Sequence, residues 1–106
     1  MGGVELTTRE RILNLLLRSE GPLTAEDIIS ELGLRVTPGE VYEHLKHVAK
    51  TLKRAYGGSY YLAMVPPTCR SCGYVFKGLE EPRKPSKCPK CRSQRINPPA
   101  FKIVRK

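Results

Sequence analysis

All four cysteines of this 106-residue chain fall between residues 69 and 91, in the segments Cys69-Arg70-Ser71-Cys72-Gly73-Tyr74 and Cys88-Pro89-Lys90-Cys91. Two pairs of two-residue spacing, fifteen residues apart, match a four-thiolate tetrahedral metal site. The spacing has a geometric reason. Two intervening residues let a tight turn aim both sulfurs at one ion, and Gly73 frees the backbone to fold its amides toward sulfur.

This pattern predicts a zinc ribbon with Cys69, Cys72, Cys88 and Cys91 as ligands of one structural ion. Disulfides are the first competing reading, but the N-terminus carries Glu5, Arg9, Glu10 and Arg11 where a secretory leader would have an apolar stretch. Four unrelated thiols would not fall into paired spacing. Iron is the remaining alternative, because the two knuckles resemble those of rubredoxins. Arg92 stands where rubredoxins usually repeat glycine, the intervening loop is shorter than theirs, and the chain has no tryptophan to shield a redox centre. Zinc is favoured on that ground, with iron kept as a second reading.

A chain of this length has limited capacity to bury a core, so the ion acts as a staple. The net charge is +9, and its distribution matters more than its sum. Residues 1–65 hold eight basic and eight acidic side chains. Residues 66–106 hold eleven basic ones against Glu80 and Glu81, so the whole excess sits in the cysteine-bearing half, which suggests a polyanion nearby. The longest apolar run, Ile12 to Leu17, is six residues interrupted by Asn14, far short of a membrane span. Reduced thiols without a leader or a span predict a cytoplasmic protein.

Three capping boxes mark helix starts. Thr7-Thr8-Arg9-Glu10 opens a helix whose apolar face is Ile12, Leu13, Leu15, Leu16 and Leu17, ended by Gly21-Pro22. Thr24-Ala25-Glu26-Asp27 opens a shorter one carrying Ile28, Ile29 and Leu32, closed by Gly33. After a brief extended piece at Leu34-Arg35-Val36, Thr37-Pro38-Gly39-Glu40 starts a third helix running to Arg54. Val41, Leu45, Val48 and Leu52 form its core stripe, and the reverse face collects Glu43, Lys46, His47, Lys50 and Arg54, with Lys53 at the margin. Three helices, the last basic on its outer side, make a helix-turn-helix arrangement.

Beyond the Gly57-Gly58 turn, Tyr60 to Val65 reads as a strand stopped by Pro66-Pro67, and Pro98-Pro99 precedes a second strand candidate, Ala100 to Arg105. The simplest arrangement pairs the two antiparallel and places the ribbon between them. The expected organisation is therefore an α+β fold: residues 1–65 and 99–106 forming the helical unit with its hairpin, and residues 66–98 the inserted zinc ribbon.

On Thr24 to Arg54, the Tyr60 to Val65 strand, the two knuckles and the Pro-Pro brackets, the chain resembles a small archaeal family of winged helix-turn-helix proteins bearing a rubredoxin-like zinc ribbon. The resemblance spans nearly the whole chain. It implies a winged helix with the ribbon in its wing, acting as a DNA-binding transcription regulator.

The residues themselves suggest how duplex DNA would be held. Lys46, Lys50, Lys53 and Arg54 on the third helix, with Lys84, Lys87, Lys90 and Arg92 on the ribbon, are candidates to neutralise phosphates. Tyr42, Glu43, Lys46 and His47 are the candidates to read base edges, Glu43 having the alternative of pairing with Lys46 or His47. No catalytic constellation or glycine-rich phosphate cradle is present, and a four-cysteine zinc has no open position for water, so no enzyme is expected. Two other functions stay open: a ribbon that docks on protein or RNA, such as transcription machinery, and an iron electron carrier. A homodimer also stays open, since the apolar residues of the first helix serve either a core or a partner subunit.

Overall fold

The computed structural model describes residues 7–79 and 81–106; the N-terminal Glu5 and the ribbon's Glu80 lie outside the described residues. Local rules set the helices. α1 (Thr8–Arg18), α2 (Ala25–Leu32) and α3 (Pro38–Ala55) each begin with the expected reciprocal box: Thr7 with Glu10, Thr24 with Asp27, and Thr37 with Glu40. In each, the threonine oxygen accepts from the backbone amide three residues on while the acid accepts from the cap amide, satisfying two donors that the helix leaves free.

The helix ends are closed differently. Gly33 takes the left-handed conformation at φ 61°, and the Leu34 amide returns to the Ile29 carbonyl at 3.0 Å. Arg11 on α1 adds a donor to the Leu32 carbonyl at 2.7 Å. α1 stops at Arg18, before Gly21-Pro22, and Lys102 donates to the Ser19 and Glu20 carbonyls just beyond it at 3.1 and 2.8 Å. Cations at helix C-termini are favoured by the orphan carbonyls there.

A three-stranded antiparallel sheet runs in the order β1 (Leu23–Thr24), β5 (Ala100–Arg105), β2 (Tyr60–Val65). The expected pairing of the two long strands is present, with Tyr60 opposite Arg105 and Val65 opposite Ala100. β1 was not expected. It sets Leu23 opposite Phe101 and thereby ties the α1–α2 connection to the last strand of the chain. Leu34-Arg35-Val36 forms no strand; Leu34 and Val36 instead pack half-buried against the core.

One core lies between the helices and this sheet. Ile12, Leu16, Ile28, Val41, Leu45, Leu52 and Phe101 are fully shielded from solvent there. Tyr42 belongs to the same core at 8% exposure, its ring centroid 6.1 Å from that of Phe101. The chain leaves the sheet through Pro66-Pro67 and returns through Pro98-Pro99, and between these brackets β3 (Thr68–Cys69) pairs antiparallel with β4 (Ile96–Asn97). This second lobe has its own small core of Cys69, Phe76, Cys88 and Ile96, with Leu79 against it. The architecture is thus mixed α+β: three helices, two small antiparallel sheets and a four-cysteine ribbon. No helix among the described residues is long and apolar enough to cross a membrane.

Candidate metal centre and the basic faces around it

The two knuckles repeat one backbone design. In the first, the Cys69 amide donates to the Tyr74 carbonyl at 2.8 Å and Gly73 returns to the Cys69 carbonyl at 2.9 Å. In the second, Cys88 donates to Ser93 at 2.9 Å and Arg92 returns to Cys88 at 2.9 Å. Arg92 therefore occupies the position of Gly73, and both are left-handed, at φ 63° and 78°. The departure from the rubredoxin glycine marks the only non-glycine residue with positive φ among the described residues. The knuckles are tied together by Ser71 donating to Ser93 at 2.9 Å, Arg70 Nε to Asn97 at 2.7 Å, and the Arg70 amide to the Arg95 carbonyl at 2.8 Å.

These turns bring all four sulfurs within 4.8 Å of one another, with Cys69 to Cys91 at 3.5 Å and Cys72 to Cys88 at 3.6 Å. Tetrahedral bonds of about 2.3 Å require sulfurs about 3.8 Å apart, so the donor set fits one tetrahedral ion. Binding of an ion there releases the thiol protons, including that of Cys91, where the Ser93 amide lowers the pKa but burial and the neighbouring thiols outweigh it and push it up to about 12. Around Cys69, burial alone would raise the thiol, but the Cys72 and Ser71 amides together with the Cys91 and Cys72 thiols outweigh it and bring its pKa down to about 6. Around Cys88, burial is likewise outweighed, here by the amides of Cys91 and Lys90 together with the Cys72 and Cys91 thiols, so its thiol is also lowered. Cys69 and Cys88 are buried, whereas Cys72 and Cys91 face solvent.

The other predicted site residues form two exposed sets, with Tyr42 and Lys46 apart from them. Glu43, Lys50, Lys53 and Arg54 are exposed on α3, and His47 is half-exposed beside them. Lys84, Lys87, Lys90 and Arg92 are all exposed on the second lobe. Tyr42 joins neither set. It was expected among the base readers, but it sits at the edge of the core stripe, where burial and then the charge of Glu26 push its hydroxyl up to about 12. Lys46 is on the flank of α3, engaged by Glu43 at 3.0 Å and by Glu81 of the second lobe at 3.4 Å. Sequence reasoning foresaw the Glu43 pairing and missed Glu81, since nothing local signals a contact thirty-five positions away.

The two parts of the chain match known families separately. The family described as "PF0610-like, N-terminal" matches residues 7–57, and the "PF0610 rubredoxin-like zinc beta-ribbon domain" matches residues 66–106. The solution NMR structure of protein PF0610 from Pyrococcus furiosus is similar over both, at 37% identity and a TM-score of 0.76, covering 100% of this chain and 96% of that one. The chain belongs to the PF0610-like family. No curated protein matches it. The ribbon match of this PF0610-like chain runs to residue 106 and so includes β5, which structurally completes the sheet of the helical unit.

Proposed function

We propose that this PF0610-like chain is a winged helix-turn-helix protein that binds duplex DNA as a transcription regulator, with zinc as the structural ion of its ribbon. The element order supports the winged-helix reading: three helices with β1 between the first two, followed by the β2–β5 hairpin. In this reading the ribbon is an insertion in the wing. Four thiolates in a closed tetrahedral set, without an open position, favour a structural zinc.

The observation that carries the proposal is the Lys46–Glu81 contact. It anchors the ribbon loop to the flank of α3 while leaving Glu43, Lys50 and Arg54 exposed on the outer face. Lys84 follows Glu81 by three residues, at most about 11 Å along an extended chain, so basic side chains of the loop lie beside the helix. The outer face of α3 enters the groove, where Glu43 and His47 are placed to meet base edges. Lys50, Lys53 and Arg54 with Lys84, Lys87, Lys90 and Arg92 then neutralise phosphates and release counterions.

Selection of bound sequences from random duplexes at about physiological salt tests this reading, repeated with the base-reading positions changed together as Glu43→Ala and His47→Ala. The expected result is an enriched motif that the double variant loses. Failure of the wild-type chain to retain any duplex, or identical selection by the variant, would overturn the role of α3. Metal analysis of protein purified without added metal tests the ion. One zinc per colourless chain is expected, and a visible iron–thiolate spectrum would replace zinc with iron.

A further inference from the structure

The β2 strand is an edge of its sheet, and the pairing register shows which of its backbone groups are left over. Lys106 donates to the Ser59 carbonyl at 2.8 Å, in the same register that sets Tyr60 opposite Arg105. Ser59 and Lys106 are therefore a hydrogen-bonded pair, and in an antiparallel ladder such pairs alternate with non-bonded ones. It follows that Tyr61, Ala63 and Val65 spend their backbone groups on β5, whereas Tyr60, Leu62 and Met64 aim their N–H and C=O groups at the open edge. Among the described residues none bonds to them there.

That edge is one wall of a groove, and α3 is the other. Two adjoining hollows of about 270 and 280 Å³ share Ala49 of α3 and Leu62 of β2. Met64 and Phe101 make the first hollow apolar, and Leu79 and Pro82 of the ribbon loop end it. The second hollow is flanked by Lys53 and Lys106 and has no acidic residue in its lining. Glu81, at the far end, is already engaged by Lys46. Natural edge strands are usually blunted by a charge or a proline, yet Tyr60-Tyr61-Leu62-Ala63-Met64-Val65 contains neither.

We infer that the β2–α3 groove binds an extended peptide segment of a partner protein, which adds a strand to the β2 edge. The segment carries apolar side chains at alternate positions for the Leu62 and Met64 end and acidic ones for the Lys53 and Lys106 end. Backbone bonding to Tyr60, Leu62 and Met64 supplies affinity, and the hollows select side chains of period two. A second copy of this chain fits poorly, since each copy carries +9 and would bring like charges together at the lysine-flanked end. The apolar floor likewise offers little to a phosphate backbone. This inference shares Lys53 with the DNA-binding reading but rests on the open β2 edge and not on the outer face of α3, and either can fail alone.

Panning a random linear-peptide display library against the full metal-loaded chain is the first arm of the test. The expected enrichment is an apolar-x-apolar pattern with acidic residues at one end, absent when Ala49→Arg fills the groove. In the second arm the enriched peptide is synthesised, and amide exchange is followed on the wild-type chain. At a peptide concentration 100 times Kd, exchange at Tyr60, Leu62 and Met64 is expected to slow by about 100-fold. A peptide N-methylated at alternate residues, on the register that bonds to β2, is expected to lose at least about tenfold in affinity, since several backbone hydrogen bonds are lost together. No enrichment, protection elsewhere, or equal binding of both N-methylated registers overturns the inference. So does protection of the same three amides without peptide, by added duplex DNA or by raising the chain concentration, which would assign the edge to DNA or to a second copy.

Discussion

Lys46 of α3 and Glu81 of the ribbon loop meet at 3.4 Å, joining the two lobes through one ion pair. Glu43 shares the same ammonium at 3.0 Å, and its hydrogen bond is the main reason that the Lys46 pKa is raised. Exposed pairs of this kind contribute little to stability, so the contact acts on the placement of the loop and on the charge that α3 presents.

Glu81→Gln isolates that effect. The melting temperature is expected to stay unchanged, while release of the ribbon loop from α3 lowers duplex affinity at low salt and flattens the slope of log K against log salt by about one or more. A fluorescence titration over several salt concentrations reads both. An unchanged affinity and slope would show that the basic loop reaches the phosphates without this anchor.

Metal removal separates the lobes. The ribbon core is confined to Cys69, Phe76, Cys88 and Ile96 with Leu79, too little apolar burial to hold a fold without an ion, whereas the helical unit buries a continuous core of its own. Chelation is expected to collapse the amide chemical-shift dispersion of residues 67–97 and to leave the helical circular dichroism largely intact. Cys69→Ser is expected to weaken metal binding by more than the roughly 100-fold seen for changes around a ligand set. Loss of the helical signal on chelation would show instead that the two lobes fold as one unit.

Tyr42 offers a test of the difference between core and surface. Its hydroxyl is buried without a hydrogen-bond partner among the described residues, and its ring packs near Phe101. Tyr42→Phe removes the unpaired group and keeps the ring, so stability is expected to hold or to rise by about 1 kcal/mol, with duplex selectivity unchanged. Denaturant unfolding and the duplex selection read the two properties. A changed motif would return Tyr42 to the base readers.

Much of this was legible in the chain because it is local. The pairs Thr7 with Glu10, Thr24 with Asp27 and Thr37 with Glu40 are three residues apart, and the cysteine knuckles are equally short-range. The strands of residues 60–65 and 100–105 were legible from their apolar runs and bracketing prolines. β1 was not, since two residues carry no periodicity and Leu23 gains strand character only from Phe101. Tyr42 was misplaced for a related reason. It lies about 90° from the centre of the core stripe on the helical wheel, where only the position of a neighbouring strand decides between core and surface.

Arg92 and Gly73 share one backbone position at unequal cost. A side chain in the left-handed region costs about 1 kcal/mol relative to glycine, and no atom stands within 4 Å of where a Cβ on Gly73 would be, so conformation alone decides there. Arg92→Gly is therefore expected to stabilise the metal-bound ribbon by about 1 kcal/mol, and Gly73→Ala to destabilise it by a similar amount. In the DNA-binding reading Arg92→Gly also loses a phosphate contact, reducing the salt slope by about one. Exchange protection in residues 67–97, with the same fluorescence titration, separates the two effects. A less stable Arg92→Gly ribbon would mean that the side chain contributes packing beyond its strained backbone.

His44 supplies the pH dependence. Burial first, then the charges of Arg9 and His47, hold its pKa below 6.5, with Glu40 opposing. Arg9 Nε donates to its Nδ1 at 3.4 Å, a bond that only the neutral ring accepts. The unfolded chain therefore binds this proton more readily than the folded one, so the contribution of His44 is complete above 6.5 and declines as pH falls through the lower folded value. His44→Gln removes the titrating group. Denaturant unfolding of wild type and variant is expected to give a constant stability difference from about pH 8 to 7, which then moves against the wild type as the pH falls to about 5. Acid release of the metal is common to both proteins and cancels in that difference. Parallel curves over the whole range would show that His44 titrates alike in the folded and unfolded chain, and that the Arg9 contact does not discriminate between its two forms.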